Sequence, residues 1–256
     1  MEDIHNIVEK RNIKIERVGF SDIVLPFCFK SLNDYHTIAN ITAGVELDEK
    51  QKGAHLSRIM EVLNECLSNK ILTIEDFTEI MYKLSKKIEA DNVNMALDFN
   101  AIIPSLSPIT NRNAYINTIV TLYINLSQNQ VIKNISLKLD GAMCCPSSKK
   151  ISKYGAHSQR CSLKTTIIDT SDDVKIEDMA QIMEESFSAP VCSVVKREDE
   201  KYLTEKAYEN PKFSEDLIRD TLINMKRIYT EKEIVAEMYN YESIHSHNVY
   251  AKGRMK

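Results

Sequence analysis

Hydrophobic and polar residues alternate along several stretches of the chain and recur with a helical period in others. Alternation predicts strands, because successive side chains of a strand point to opposite faces, whereas a spacing of three or four predicts amphipathic helices. The predicted strands cover residues 13–30, 37–48, 92–106, 114–128, 131–144, 160–171, 232–244 and 247–254. The predicted helices cover residues 53–69, 73–90, 176–188 and 213–229. Thr73 with Asp76 resembles a capping box at the start of the second helix.

The order of these elements is the same in both halves of the chain: strand, strand, helix, helix, strand, strand. Such a repeat predicts two similar modules with an α+β fold and antiparallel sheets. We expect an N-terminal tail at residues 1–12, a first module at 13–129 and a second module at 130–256. Exposed sheet edges are usually paired or covered. The pattern therefore predicts an oligomer in which the modules of several chains close a barrel.

Composition and charge are those of an ordinary globular protein. The 256 residues are 43% hydrophobic and 27% charged, with a net charge of −4 and a pI of about 5.9. This balance argues against general binding to nucleic acid or to anionic membranes. The chain has no run of 18 apolar residues, and its N-terminus lacks an apolar signal core. We therefore expect a cytoplasmic protein whose six cysteines are reduced.

The segment AMCCPSSKKISKYGAHSQRC, residues 142–161, combines thiols, an imidazole and several anion-binding side chains. Cys145 and His157 flank a turn that also carries Ser147 and Lys149, and Arg160 follows. For an arbitrary pair of this kind, a buried cysteine and a surface histidine is the common outcome. The basic and hydroxyl residues around this pair favour an anion site beside it.

Two further segments supply potential ligands for a metal or a purine. His245 and His247 are two residues apart, so a strand would place both imidazoles on one face, although a polar strand edge has the same pattern. The acidic stretch 196–216 includes Glu200 and Glu215. A solvated charged loop is the usual outcome for such a stretch, but carboxylates also bind zinc or the N–H donors of a guanine edge.

A fourth segment, KGAHLSR, contains Lys52, His55 and Arg58 at the start of the first predicted helix. Helix N-termini bind anions through free amide groups and the helix dipole. A phosphate site and an ordinary polar helix start fit this segment equally well.

Taken together, one cysteine, one or two histidines and a glutamate suit a divalent metal with an open coordination position. A thiolate ligand favours zinc or iron over magnesium. Convergence of these segments in space is a hypothesis that their spacing does not test.

The motifs KGAHLSR, CPSSKKISKYGAHSQR, SAPVCSVVKREDEKYLTEKAYENPKFSEDLIRD and ESIHSHNVYA occur in this order. In combination they resemble GTP cyclohydrolase I of type IB, the prokaryotic enzyme that opens the guanine ring of GTP on the way to folate or related pterins. The resemblance runs from about Ile13 to the C-terminus. It implies a tunnelling fold and a homotetramer with active sites at subunit interfaces. It also implies GTP as substrate and one divalent metal (zinc, manganese or iron) per site, without an organic cofactor.

The resemblance implies roles for individual residues. The implied metal ligands are Cys145, Glu200 and His245. His157 and His247 are implied in catalysis, and Glu215 is implied in holding the guanine edge. Our candidates for phosphate contacts are Lys52, His55, Arg58, Lys149 and Arg160. The implied reaction is attack of a metal-activated water on C8 of the purine, release of formate and reclosure to 7,8-dihydroneopterin triphosphate.

Ser147 stands where the family usually has the second cysteine of Cys-Pro-Cys-Ser-Lys. Cys145 keeps the first position, while the thiol role of the second is lost unless Cys144 or the Ser147 hydroxyl replaces it. We therefore include Ser147 among the catalytic candidates.

Two alternative functions stay open. One is an archaeal-type cyclohydrolase that gives dihydroneopterin 2′,3′-cyclic phosphate. The other is a tunnelling-fold metalloprotein that binds a purine or pterin without turnover.

Overall fold

The computed structural model describes residues 8–68 and 70–256, which form ten strands and six helices. The strands are β1 (Ile15–Lys30), β2 (Asp34–Leu47), β3 (Ile71–Leu72), β4 (Val93–Leu106), β5 (Asn113–Ser127), β6 (Gln130–Cys144), β7 (Ser158–Ile168), β8 (Ala189–Pro190), β9 (Glu233–Asn240) and β10 (Val249–Met255). The helices are α1 (Ser57–Leu67), α2 (Asp76–Ile88), α3 (Pro146–Ile151), α4 (Ile176–Ser186), α5 (Arg197–Glu209) and α6 (Ser214–Ile228). None of the described helices is both long and apolar enough to cross a membrane.

The strands belong to one sheet with the order β10-β9-β7-β6-β5-β4-β2-β1-β3, and β8 pairs with β6 beside this path. The pairs β1–β2, β2–β4, β7–β9 and β9–β10 are antiparallel, whereas the short β3 runs parallel to β1. Burial alternates along β4 and β5. This alternation is typical of an antiparallel sheet that packs a core on one face.

The chain divides into two compact units. Unit 1 consists of the described part of residues 1–100 with Thr121–Ile135 and Asp169–Asp173, and unit 2 of Ala101–Val120, Ser136–Ile168 and Val174–Lys256. In unit 1, the rings of Phe27 and Phe29 pack on Phe99, with centroids 5.2 and 5.5 Å apart. Phe77 of α2 adds a fourth ring 6.3 Å from Phe27. This aromatic cluster is part of the core between the helices and strands of unit 1.

In unit 2, helix α6 packs against β9, β10 and α4. Leu217 and Met225 of α6 and Met179 of α4 are fully buried. Gly253 of β10 permits the close approach of α6, because a Cβ atom there would lie 2.6 Å from Cγ2 of Ile218. This packing holds β9 and β10 in place, and the connection between these two strands contributes to the site described below.

Three local predictions differ from the structure. Residues 241–244 and 247–248, expected in strands, lie instead in an irregular connection with bends at 243–247, because the pairing of β9 with β10 ends at Asn240 and Val249. The acidic stretch contains helix α5 instead of a loop, since the Asp199 carboxylate caps its first turn. The turn after Cys145 is the short helix α3. The other predicted helices and strands are present with shifted ends, and the division into two sequential modules stays a prediction.

Candidate active site

Unit 2 contains a cavity of about 280 Å³ that four separate segments line. Among its lining residues are Cys145, His157, Gln159, Glu215, Glu242 and His245. Four of these six are residues singled out from the sequence, although they are far apart along the chain. Packing thus brings a thiol, two imidazoles and a carboxylate from the predicted set to one place.

Cys145 lies where β6 ends and α3 begins. Its backbone is extended, Pro146 occupies the first helical position, and its Sγ accepts a hydrogen bond from the Ser148 amide at 3.4 Å. The Cys145 amide donates to the His157 carbonyl at 3.2 Å. This backbone bond joins the two ends of the segment, so Cys145 and His157 enter the cavity together.

The His157 ring is held by two groups that the sequence analysis did not single out. Its Nδ1 lies 2.8 Å from Oε1 of Gln159 and 3.9 Å from Oε2 of Glu242. Because an amide oxygen only accepts, the Gln159 contact assigns the hydrogen to Nδ1 and leaves Nε2 able to exchange a proton. The side chains of His157 and Glu242 are 15% and 9% exposed, which strengthens their electrostatic interaction.

Glu242 is fixed from the end of β9. Nδ2 of Asn240 donates to Oε1 of Glu242 at 2.6 Å, and the Tyr241 amide between them donates to the Arg160 carbonyl at 3.0 Å. The only signal for Glu242 in the sequence is its position three residues before His245. Such spacing has no meaning in a bend, where the backbone lacks a regular repeat.

His245 and His247 lie in the bends between β9 and β10, so the predicted strand geometry is wrong for them. Their rings nevertheless stack, with centroids 5.1 Å apart and an interplanar angle of 16°. His245 lines the cavity, whereas His247 stacks on His245 and is not part of the lining. Both side chains are exposed.

Glu215 lies in the first turn of α6, after a turn that Lys212 anchors. Nζ of Lys212 donates to the Ser186 carbonyl at 2.7 Å and contacts Asp220 at 2.8 Å. The Lys212 amide also donates to the Cys144 carbonyl at 3.0 Å. The start of α6 is therefore tied to the end of β6, which carries Glu215 to the same cavity as Cys145.

Glu200 and Ser147, like His247, do not line this cavity. Glu200 lies on the exposed surface of α5, and Ser147 is exposed in the first turn of α3. Among the phosphate candidates of unit 2, Lys149 donates to the Tyr208 carbonyl at 2.5 Å and lies 4.3 Å from the centre of the Tyr208 ring. Arg160 is exposed, 3.9 Å from Asp140.

The remaining phosphate candidates belong to unit 1. Lys52 and His55 both precede α1, although the predicted helix included His55, and His55 lines a cavity of about 160 Å³. Arg58, in the first turn of α1, donates to the Lys87 carbonyl at 3.0 Å and contacts Glu89 at 3.2 Å. These contacts direct the Arg58 guanidinium towards the end of α2.

Among the residues described, no group of three or more His, Cys, Asp and Glu side chains is arranged to hold a metal ion. Cys145 and His245 nevertheless line one cavity and offer a sulfur and a nitrogen donor, which suit zinc and other transition metals. The two neighbouring thiols are different. Burial raises the pKa of Cys144 and of Cys161, so both stay protonated core residues.

Comparison with known proteins agrees with the resemblance drawn from the motifs. The family model described as type I GTP cyclohydrolase folE2 matches residues 1–251. The GTP cyclohydrolase FolE2 of Geobacter sp. (strain M21) is 34% identical over 253 residues, covering 98% of this chain and 93% of that protein. The FolE2 of Fervidobacterium nodosum is also 34% identical, over 98% of this chain and 96% of its own length.

Solved structures confirm the predicted α+β tunnelling fold. The uricase from Arthrobacter globiformis superposes with a TM-score of 0.56 at 8% identity, covering 94% of this chain and 93% of that one. The uricase from Bacillus fastidious superposes with a TM-score of 0.50 at 10% identity, covering 96% and 93%. At this identity the likeness concerns the fold alone. The match to the family model and the relatives at 34% identity show that this chain belongs to the type I GTP cyclohydrolase FolE2 family.

Proposed function

We propose that this protein is a metal-dependent GTP cyclohydrolase that opens the guanine imidazole ring at C8, releases formate and forms 7,8-dihydroneopterin triphosphate for folate or pterin biosynthesis. Membership of the FolE2 family supports the activity. The observation that carries the proposal to this chain's own residues is the shared cavity of Cys145, His157, Glu215 and His245. A cytoplasmic location is part of the proposal.

In this proposal Glu215 recognises the guanine base. Its two carboxylate oxygens are acceptors, and the Watson–Crick edge of guanine presents two adjacent donors, N1–H and the exocyclic amino group. Glu215 is exposed at the cavity and lies on the first turn of a helix whose start is anchored through Lys212. A charged acceptor held in this way distinguishes guanine from adenine, which lacks the N1–H donor.

His157 serves as the acid–base group. Gln159 occupies Nδ1, so Nε2 is the nitrogen that takes up or delivers a proton at the imidazole ring of the purine. Glu242, whose Oε2 lies 3.9 Å from Nδ1, packs on the same side of the ring as Gln159. General acid–base groups of this kind typically contribute about 10²–10⁴-fold to the rate.

Cys145 and His245 would hold the divalent metal, with Glu200 as the third protein ligand. Such an ion, when bound, supplies Lewis acidity that lowers the pKa of water towards about 7. Zinc, iron and manganese all suit this mixture of sulfur, nitrogen and oxygen donors. The ring nitrogen of His245 is oriented by its stacking on His247, which gives His247 a positioning role.

We also propose a homotetramer with active sites at subunit interfaces. Large apolar side chains stay exposed on the strands of unit 2, including Tyr115, Ile119, Tyr239 and Tyr250, where the free face of a sheet is usually polar. Sedimentation velocity is expected to give the mass of four chains. Mixed oligomers of Cys145→Ala and Glu200→Ala chains regain activity if the two ligands of one site come from different chains.

The proposed activity is tested by incubating the purified protein with GTP and, separately, Mn²⁺, Fe²⁺ or Zn²⁺. Formate release and pterin fluorescence are expected, and mass spectrometry distinguishes the triphosphate product from a cyclic phosphate. His157→Ala should abolish turnover, whereas His36→Ala, a histidine of unit 1 outside the cavity, should not. GTP binding without formate release under all three metals contradicts the proposal and supports a purine-binding protein without turnover.

A further inference from the structure

Helix α5 is anchored at its N-terminal end by a carboxylate instead of apolar side chains. Of its thirteen residues, all of them described, only Asp199 and Ala207 are buried. Asp199 is 0% exposed, and Ala207, two turns later, packs beside Cys144 and Ala189. The position of the first turn of α5 therefore depends on what Asp199 contacts.

Asp199 receives four hydrogen bonds. Its Oδ1 accepts from the amides of Ile109 and Thr110, each at 2.9 Å. Its Oδ2 accepts from Oγ1 of Thr110 at 2.6 Å and from the Lys196 amide at 2.9 Å. Burying an ionised carboxylate is costly unless such donors replace water. The four bonds tie the loop between β4 and β5 to the start of α5.

The loop between β4 and β5, which supplies three of these donors, is itself held by internal hydrogen bonds. Ser107 is fully buried, and its amide donates to the Arg112 carbonyl at 2.9 Å. Oγ of Ser107 accepts from the Arg112 amide at 2.9 Å and lies 2.8 Å from Oγ1 of Thr110. The donors that face Asp199 are therefore held by contacts within the loop itself as well as by Asp199.

Glu200 follows Asp199 directly and closes the first helical hydrogen bond, from its amide to the Lys196 carbonyl at 2.8 Å. Both backbone groups of Lys196 are thus engaged, its carbonyl by Glu200 and its amide by Asp199. The first turns of helices otherwise tend to fray. We propose that Asp199 is a positioning residue that fixes Glu200 for metal binding by clamping α5 to the β4–β5 loop. This inference rests on the proposed role of Glu200 as a metal ligand.

The test is the Zn²⁺ affinity of the full-length protein, measured by competition with a chelating indicator. Cys145→Ala lacks a proposed metal ligand and therefore measures the Zn²⁺ that binds at other sites. Asp199→Asn is expected to raise the dissociation constant about 10–100-fold, as loss of residues that orient metal ligands typically does. Asp76→Asn is the matched control, because that carboxylate also accepts a backbone hydrogen bond near a helix start, from Thr73 at 2.7 Å, but in unit 1. It should leave the affinity unchanged.

A milder variant keeps the test decisive if Asp199→Asn folds poorly. Thr110→Val removes one donor to Asp199 and should raise the dissociation constant by a smaller factor, with kcat recovering at saturating metal. The inference is overturned if both variants lower only the melting temperature and bind Zn²⁺ like the wild type while Glu200→Ala weakens binding. If Glu200→Ala also binds Zn²⁺ normally, the ligand assignment in the proposed function fails as well.

Discussion

At the scale of single residues, the neighbours of His157 decide what its ring is able to do. Its amide donates to Oγ of Ser148 at 3.2 Å, its carbonyl accepts from Cys145, and Nδ1 pairs with Gln159. The backbone contacts fix where the ring lies, and the side-chain contact fixes which nitrogen carries the hydrogen. In the free amino acid either ring nitrogen can carry the hydrogen, whereas here Nδ1 is anchored and Nε2 is left to react.

Replacing Cys145 by alanine removes the sulfur donor from the cavity. We expect Cys145→Ala to lose most of its bound metal together with its activity, as measured by plasma mass spectrometry of the purified protein. Cys192→Ala is the control, because Cys192 is half-buried, lies outside the cavity lining and has a pKa raised by burial. Normal metal content in Cys145→Ala would refute the ligand assignment.

Replacing Glu215 by alanine removes the proposed acceptor for guanine. Hydrogen bonds to charged groups contribute about 1.5–3 kcal/mol, so Glu215→Ala should weaken GTP binding by roughly 10–100-fold in calorimetry, with the metal retained. Glu205→Ala, at an exposed position of α5 beside Lys201, should bind GTP like the wild type. Unchanged affinity in Glu215→Ala would exclude the guanine contact.

At the scale of elements, the end of α4 packs onto β6 through a glycine. A Cβ atom at Gly141 would lie 2.2–2.4 Å from ring carbons of Phe187, the residue after α4. The same glycine pairs with Pro190 of β8. Strand β6, which ends immediately before Cys145, is therefore positioned by direct contact between the Phe187 ring and the backbone of Gly141.

Gly141→Ala should destabilise the protein by about 1–3 kcal/mol, the usual range for an extra methyl group in a packed core. Urea unfolding monitored by circular dichroism measures the loss. In the double variant with Phe187→Leu, which removes the ring atoms that clash, the two effects should be clearly less than additive. Strict additivity would show that Phe187 is not the group that excludes a side chain at Gly141.

At the scale of the whole molecule, the free energy of unfolding depends on pH through carboxyl groups whose ionised form is disfavoured by burial. Glu184 of α4 is half-buried, and burial raises the pKa of its carboxyl group, with Lys206 acting against this shift and Glu185 adding to it. A carboxyl group with a raised pKa stabilises the fold only while it is protonated. This contribution is complete below the unfolded-state pKa of about 4.3 and is lost as the pH rises through the folded-state pKa.

Glu184→Gln should therefore unfold at higher urea concentration than the wild type at pH 7, because the amide carries no charge to desolvate. The advantage should shrink as the pH falls and disappear near pH 4, where the wild-type carboxyl is protonated. Glu185→Gln, one residue along and exposed, should show little difference at either pH. A constant advantage of Glu184→Gln at all pH values would exclude titration of Glu184 as its cause.

Much of the secondary structure follows from local periodicity, and the exceptions have local causes. Helices α1, α2, α4 and α6 form where apolar residues recur at helical spacing, and each buries an apolar face. Helix α5 was missed because it buries only two of its residues, one of them the charged Asp199. The bends around His245 were missed because the end of a strand depends on its partner's register.

The sequence by itself determined the chemical groups and the family, since motif order and residue identity are properties of the chain alone. Only the tertiary structure decided that Cys145, His157, Glu215 and His245 line one cavity, that Gln159 and Glu242 hold His157, and that Asp199 anchors α5. The physical reason is that these contacts join residues distant in sequence. Strand register and helix packing set such contacts, and neither leaves a signal in local spacing.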